Sequence, residues 1–231
     1  MSKEAFDPMA NNLPVKRQAS PLALGEMTGE LGPGDMQLPR LKIAQGSQDW
    51  VSNFKGGSLV LNEERLLAEK GESVLFSILA ARKSYEEDLP YDENGPRPRT
   101  FATLEEVRAA GLTDAWGPDG QKPPVRPVAS FLLAIRKPAG AVDAGFPFEI
   151  QGNRYTFAEF TVRSTAYRRF ATYVFTKISM DLGGVMTNGV WSMMTEATKV
   201  GRFQIIVPKV TLTDERLTPE FLAECKSKTH S

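Results

Sequence analysis

The sequence predicts a mostly β (α+β) domain. Barrel-like strands carry one long helix, and the domain bears an acidic insertion and a flexible N-terminal arm. Three observations predict this. Apolar or alternating runs rich in aromatic and β-branched residues recur near 40–44, 74–83, 128–136, 147–163, 190–198 and 202–212, which is the period and composition of strands. The longest helical spacing of apolar residues, Tyr167, Phe170, Val174 and Ile178, follows directly on one of those runs. The charge is segregated although the total is zero: residues 1–37 carry three basic and five acidic side chains, 38–84 seven and five, 85–127 five and nine, 128–212 ten and five, and 213–231 three and four. The strand-rich parts are therefore basic, and the tails and insertion acidic.

Residues 1–37 hold Pro8, Pro14, Pro21 and Pro33 with few large apolar groups, and read as a flexible arm with a short helical turn around Leu22–Met27. The main domain spans 38–212. Its first strand, 40–44, alternates Leu41 and Ile43 inward with Arg40 and Lys42 outward. A polar turn, Gln45-Gly46-Ser47, leads past Trp50 and Phe54 to a glycine turn at 56–57. Ser58–Leu61 suggests a short strand and Glu63–Leu67 a helical turn. The run from Val74 to Ala81 is continuously apolar and continues as a buried strand through Tyr85.

Residues 85–127 break the pattern with acidic, proline-rich sequence. Within them Thr103 and Glu106 form a capping box, Leu104 and Val107 a small apolar face, and Gly111 a stop. Strands at 128–135 and 146–150 follow, then a turn at Gln151-Gly152-Asn153. Along 155–163 one face carries Thr156, Ala158, Phe160 and Val162, and is expected to be core. The other carries Tyr155, Phe157, Glu159, Thr161 and Arg163, and is expected to face outward. Ser164 is expected to cap the helix. After a glycine loop at 181–189, two strands joined at Val200-Gly201 close the domain, and Pro208 marks the second as an edge. Thr218-Pro219 starts a short helix within 213–231.

The stretch 154–177 concentrates the chemistry. Seven of its residues are aromatic and five basic, against one acid. Flat side chains stack on bases and cations track phosphates, so this composition suits single-stranded nucleic acid. The expected stacking residues are Tyr155, Phe157, Tyr173 and Trp191, with Trp50 behind them. The expected phosphate contacts are Arg154, Arg163, Arg168, Arg169, Lys177, Lys199 and Arg202, followed by Lys42 and Lys55. The competing reading makes the same stretch a core strand and an amphipathic helix with ordinary surface arginines.

Other chemistries find little support. There is no phosphate-binding glycine loop, dinucleotide fingerprint or serine elbow, and no histidine inside the strand-rich region. Asp88, Asp92, Glu93 and Asn94 do not match calcium-loop spacing. One cysteine, Cys225, excludes an internal disulfide, and with His230 it cannot build a zinc site. No cofactor, metal, catalytic residue or membrane span is expected. Cysteine usage and the lack of a signal-like N-terminus suggest a cytoplasmic protein.

LPRLKIAQGSQDWV at 38–51, the glycine turn at 56–57, STAYRRF at 164–170 and LTPEFLAE at 217–224 resemble a group of phage-encoded single-stranded-DNA-binding proteins. The resemblance implies an elaborated OB-fold barrel, a role in DNA replication or recombination, and an infected bacterial cytoplasm. Such proteins commonly recruit partners through an acidic tail with a terminal aromatic. This chain ends KSKTHS, so docking of replication or recombination proteins is expected at the acidic insertion 85–127, which is also expected to compete with DNA. The alternatives are a protein-interaction or virion-associated protein and a nuclease.

Overall fold

The computed structural model describes residues 38–90 and 95–229. The arm 1–37, Asp92, Glu93, Asn94 and His230 lie outside the described residues. The strands are β1 (Leu41–Ile43), β2 (Leu59–Leu61), β3 (Arg65–Ala68), β4 (Val74–Glu87), β5 (Thr100–Phe101), β6 (Val125–Arg136), β7 (Phe148–Ile150), β8 (Asn153–Arg163), β9 (Gly189–Val200) and β10 (Phe203–Arg216). The helices are α1 (Leu104–Ala109), α2 (Ser164–Ala166), α3 (Thr172–Asp181) and α4 (Pro219–Thr229). A π-helical turn, Tyr167–Ala171, joins α2 to α3.

Strands β1, β2 and β3 form a small antiparallel sheet. A large antiparallel sheet runs β10-β9-β4-β6-β8-β7, with β5 added beside β4. The mostly β expectation holds, but no closed barrel forms among the described residues. Strands β8 and β10 do not pair with each other. The segment around β1 stands between them: the Glu159 amide donates to the Pro39 carbonyl at 2.8 Å, and the Ile206 amide to Gln45 Oε1 at 3.3 Å. With only three residues before the polar turn, β1 is too short to pair along both edges.

One face of the large sheet packs on the small sheet and on the helical segment. Phe76, Ile78, Phe131, Leu133 and Phe160 meet Phe170, Val174 and Ile178 there, with Leu41, Leu59 and Leu67 from the small sheet. Phe170 sits edge-on to Phe131 and Phe160 at 5.2 and 5.1 Å. The π turn inserts one extra residue, which sends both Phe170 and Ala171 into the core and leaves Arg168 and Arg169 exposed.

A bulge between Ile78 and Ala80 controls the opposite face. The extra residue inverts the alternation of β4, so Phe76 and Ile78 point to the core while Arg82, Ser84 and Glu86 join the far side. Near one end of that far face α4 docks, and Phe221 and Cys225 cover Tyr155, Phe157, Ala134 and Ile150. The outward exposure expected for Tyr155 and Phe157 is therefore corrected: both are 3% exposed. Both faces of β8 are apolar there because both are covered.

Three local expectations are also corrected. Residues 65–68 form β3, because Asn62 and Glu63 both adopt positive φ and reverse the chain before a helical turn can start. The insertion is shorter than 85–127: β4 runs to Glu87 and pairs with Val125, so only 88–124 leaves the ladder. Ser164 does not cap the helix; its φ is +49°, and Arg163 occupies the cap position without a side-chain bond. The capping box is present, with the Glu106 amide donating to Thr103 Oγ1 at 3.2 Å and Glu106 accepting from Ala102 at 2.7 Å. Pro208 lies on the edge strand β10, where a missing amide costs no ladder bond.

Candidate nucleic-acid interface

Beyond α4, the far face of the large sheet turns polar. Cross-strand rows read Arg82–Ser130–Thr161 and Ser84–Val128–Arg163. They floor a cleft of about 450 Å³ that is walled by Arg40 and Lys42 beside β1 and by Thr100 of β5. Ser130 and Thr161 share a hydrogen bond of 2.9 Å. Glu86 and Glu159 are its carboxylates.

The cleft continues around the end of β8. Lys42, Gln45 and Trp50 line the next section with Thr161 and Arg163. Trp50 is half-buried, lies 5.8 Å from the Lys42 ammonium and donates to Gln48 Oε1 at 2.8 Å. A third section runs between Gln45, the residues Arg163–Ala166 and β10 residues 204–207. The fourth, about 570 Å³, passes Ser164, Tyr167 and Arg168 to the insertion, where Lys83, Trp116 and Lys122 form the opposite wall with Asp88 and Asp114. Arg163 lines the first three sections, and Ser164 joins the third to the fourth. The four sections thus follow one another around the end of β8, at a left-handed Ser164, and neighbouring sections share lining residues.

The charge of this groove is basic. Arg40, Arg82 and Arg168 have no ion-pair partner among the described residues. Lys42 pairs with Glu63, and Arg163 reaches Glu86 at 3.5 Å. A hydrogen bond to Tyr85 holds the Lys83 ammonium above its ordinary pKa, against partial burial, with lesser support from Tyr167 and Asp114. The carboxylates where β4 leaves for the insertion are paired. Arg126 binds both Glu86 and Asp88, Lys122 binds Asp88, and Arg99 binds Glu87, whose pKa is lowered by the Arg99 hydrogen bond.

The groove gathers Lys42, Trp50, Arg163 and Arg168 from the residues expected from sequence. Val200, at its rim, belongs to the β9–β10 hairpin tip that also carries Lys199 and Arg202. The other expected residues are elsewhere. Trp191 is 0% exposed inside the main core, so with Tyr155 and Phe157 it is corrected from a stacking surface to packing. Tyr173 is half-buried against that core. Lys177 pairs with Asp181 at 2.6 Å, which raises its pKa, and Lys55 pairs with Glu69 at 2.7 Å. Arg154 faces Asp143 at 3.7 Å, and Arg169 is exposed outside the groove lining.

Sequence reasoning did not single out Arg40, Arg82, Lys83, Tyr167 and Trp116, which line these clefts, or the exposed Phe203 of the β9–β10 hairpin. Trp116 is 60% exposed and Phe203, beneath the Arg202 guanidinium at 5.1 Å, is 62% exposed. A tryptophan inside the turn-forming segment WGPDG was the available signal. Arg82 had none, since its direction depends on the bulge.

Among the described residues no group of three His, Cys, Asp or Glu side chains is placed to hold a metal ion, and no helix is long and apolar enough to cross a membrane. No protein-family model, curated protein or solved structure matches this chain, so its functional reading rests on the groove itself.

Proposed function

We propose that this protein binds single-stranded DNA without strong sequence preference, in the groove bent around Arg163 and Ser164. The observation that carries the reading is a chain of clefts: Arg163 lines three of them, Ser164 links the third to the fourth, and along them Arg40, Arg82 and Arg168, without ion-pair partners among the described residues, accompany the rings of Trp50 and Trp116. Cations spaced along a groove neutralise successive phosphates, and rings with open faces stack bases of any identity. The hairpin tip adds Lys199, Arg202 and Phe203 at the rim. A role in replication or recombination follows from such an activity. Among the described acids of the insertion, Glu105, Asp114 and Asp119 have no ion-pair partner and are available to a docking partner, whereas Asp88 is already paired with Lys122 and Arg126.

Fluorescence anisotropy of a labelled poly-dT oligonucleotide at two salt concentrations tests this. Binding that weakens with salt, with duplex of equal length bound poorly, is the expected result. Arg168→Ala should flatten the salt slope by about 0.7. No binding at low salt would reject the reading.

A further inference from the structure

The first section of the groove differs in kind from the rest. No aromatic side chain lines it; its apolar lining is only Leu41 and Val128. It cannot stack a base. What it offers instead is hydroxyls and guanidinium groups: Ser84, Ser130 and Thr161 on the floor, with Arg40, Arg82 and Arg163 around them. Neighbouring strands lie about 4.8 Å apart, so Arg82 and Thr161, on either side of Ser130, are about 10 Å apart at the backbone. Arg82 flanks Ser130 in that row, and Arg163 stands in the neighbouring row, across Val128 from Ser84, with its guanidinium near Glu86.

The charge balance favours an anion. Glu86 is held by Arg126 at 3.3 Å, and Lys42 is answered by Glu63. Arg40 and Arg82 have no carboxylate of their own among the described residues, and Arg163 shares Glu86 at 3.5 Å. Glu159 is the remaining acid, and it accepts from the Thr161 hydroxyl at 3.5 Å. Planar forks and hydroxyl donors match the oxygens of a tetrahedral phosphate. The volume of about 450 Å³ leaves room for the alcohol esterified to it.

We propose that this cleft binds a phosphomonoester dianion through Arg40, Arg82, Arg163, Ser130 and Thr161. The inference stands apart from the strand-binding reading, because it concerns a group with a free terminal phosphate and needs no stacking. Two sources share this chemistry: the phosphorylated end of a strand, and a free phosphomonoester or inorganic phosphate.

The test is isothermal titration of the full chain with inorganic phosphate at constant ionic strength, beside dT oligonucleotides bearing a 5′-phosphate, a 3′-phosphate or neither. Phosphate should bind; binding of a phosphomonoester should weaken as pH falls through about 6, where its dianion takes up a proton, and binding of inorganic phosphate, the weaker acid, should weaken at higher pH than that. Arg82→Ala should weaken phosphate about tenfold or more, the worth of one hydrogen bond to a charged group. Arg82 is exposed and has no ion-pair partner among the described residues, so circular dichroism should be unchanged. Ser130→Ala, which removes a floor donor, gives a second reading, and Glu159→Gln should tighten binding by removing a like charge. A terminal phosphate that strengthens oligonucleotide binding, with the gain lost in Arg82→Ala, assigns the site to strand ends. Inorganic phosphate binding lost in Arg82→Ala, with no advantage for phosphorylated ends, assigns it to free phosphomonoesters. Phosphate no better than chloride, or phosphate binding indifferent to both Arg82→Ala and Ser130→Ala, overturns the proposal. Oligonucleotides failing to bind while phosphate binds would reject the strand-binding reading alone.

Discussion

Replacing Phe221 by alanine separates the two surfaces that compete for the role of stacking platform. Phe221 is 1% exposed and meets the Tyr155 ring edge-on at 5.3 Å. Its neighbours are Phe157, Ala134, Ile150 and Cys225, and its amide donates to Thr218 Oγ1 at 3.3 Å. Truncating a buried phenylalanine costs about 3–5 kcal/mol. Helix α4 has eleven residues, too few to persist alone in water. The loss should therefore appear first as undocking of α4 and only then as global unfolding. Two probes distinguish these events: Cys225 reactivity reports on α4, and fluorescence of Trp191, read in a Trp50→Phe, Trp116→Phe background, reports on the main core. In urea, Phe221→Ala should expose Cys225 well before the Trp191 transition. A change below about 1 kcal/mol with Cys225 still protected would refute the packing argument. The functional readout is separate. Undocking uncovers Tyr155 and Phe157, so if oligonucleotide affinity rises in this variant, those two residues stack bases and the groove reading fails. Unchanged affinity is expected.

Other consequences are more compact. Trp116→Ala should cost about 1–3 kcal/mol of oligonucleotide affinity, whereas Tyr173→Ala should leave it unchanged; anisotropy that shows the reverse ranking would move the site to the α3 surface. Ser164→Gly should raise stability in urea by about 0.5–1 kcal/mol, because a left-handed non-glycine residue costs about 1–2 kcal/mol and glycine returns part of that as unfolded-state entropy. No gain there would mean Ser164 is unstrained. Burial, with a lesser push from Glu224, raises the Cys225 thiol to about 11. A raised folded-state pKa means the contribution is intact below the unfolded value near 9 and is lost as pH climbs toward 11. Stability should therefore fall over that window, and Cys225→Ser should flatten the decline in urea titrations at successive pH values.

Much of the fold is legible in the sequence because local rules act alone there. Alternation places β8, an apolar run places β6, the Thr103–Glu106 box starts α1, and Tyr167, Phe170, Val174 and Ile178 set the inner face of the helical segment. The site is less legible because its geometry depends on distant partners. Alternation in Tyr155–Arg163 reveals two faces but not that α4 returns to cover half of one. The bulge after Ile78 decides where Arg82 points, and no residue there announces it. The aromatic residues most conspicuous in sequence, Tyr155, Phe157 and Trp191, are large because they fill core. The exposed rings, Trp116 and Phe203, lie in turns where strand and helix patterns are silent.

The insertion is the sharpest case, since composition and geometry give opposite signs for it. Its acidic balance suggests a competitor that occupies the groove, so removing it should tighten DNA binding. In the structure Asp88 is tied to Lys122 and Arg126, and the insertion's Arg99 is tied to Glu87 at the end of β4. It also has a small core of its own, in which Phe101 and Val107 pack on Tyr85 and Val125. What it shows the groove is Trp116 and Lys122, with Asp114. Replacing 88–124 by a short glycine turn between Glu87 and Val125 keeps the β4–β6 ladder, whose last pair is Glu87 with Val125. It removes Trp116, the exposed ring on that wall. Loss of one stacking residue should weaken poly-dT binding by about 1–3 kcal/mol, or roughly five- to 150-fold. Loss of local acid should work the other way, and most strongly at low salt, where unscreened repulsion reaches farthest. The groove geometry therefore requires weaker binding at both salt concentrations, with the deficit smaller at low salt. Tighter binding at low salt would show that the insertion's free carboxylates outweigh its tryptophan, and would return it to the role of an acidic competitor.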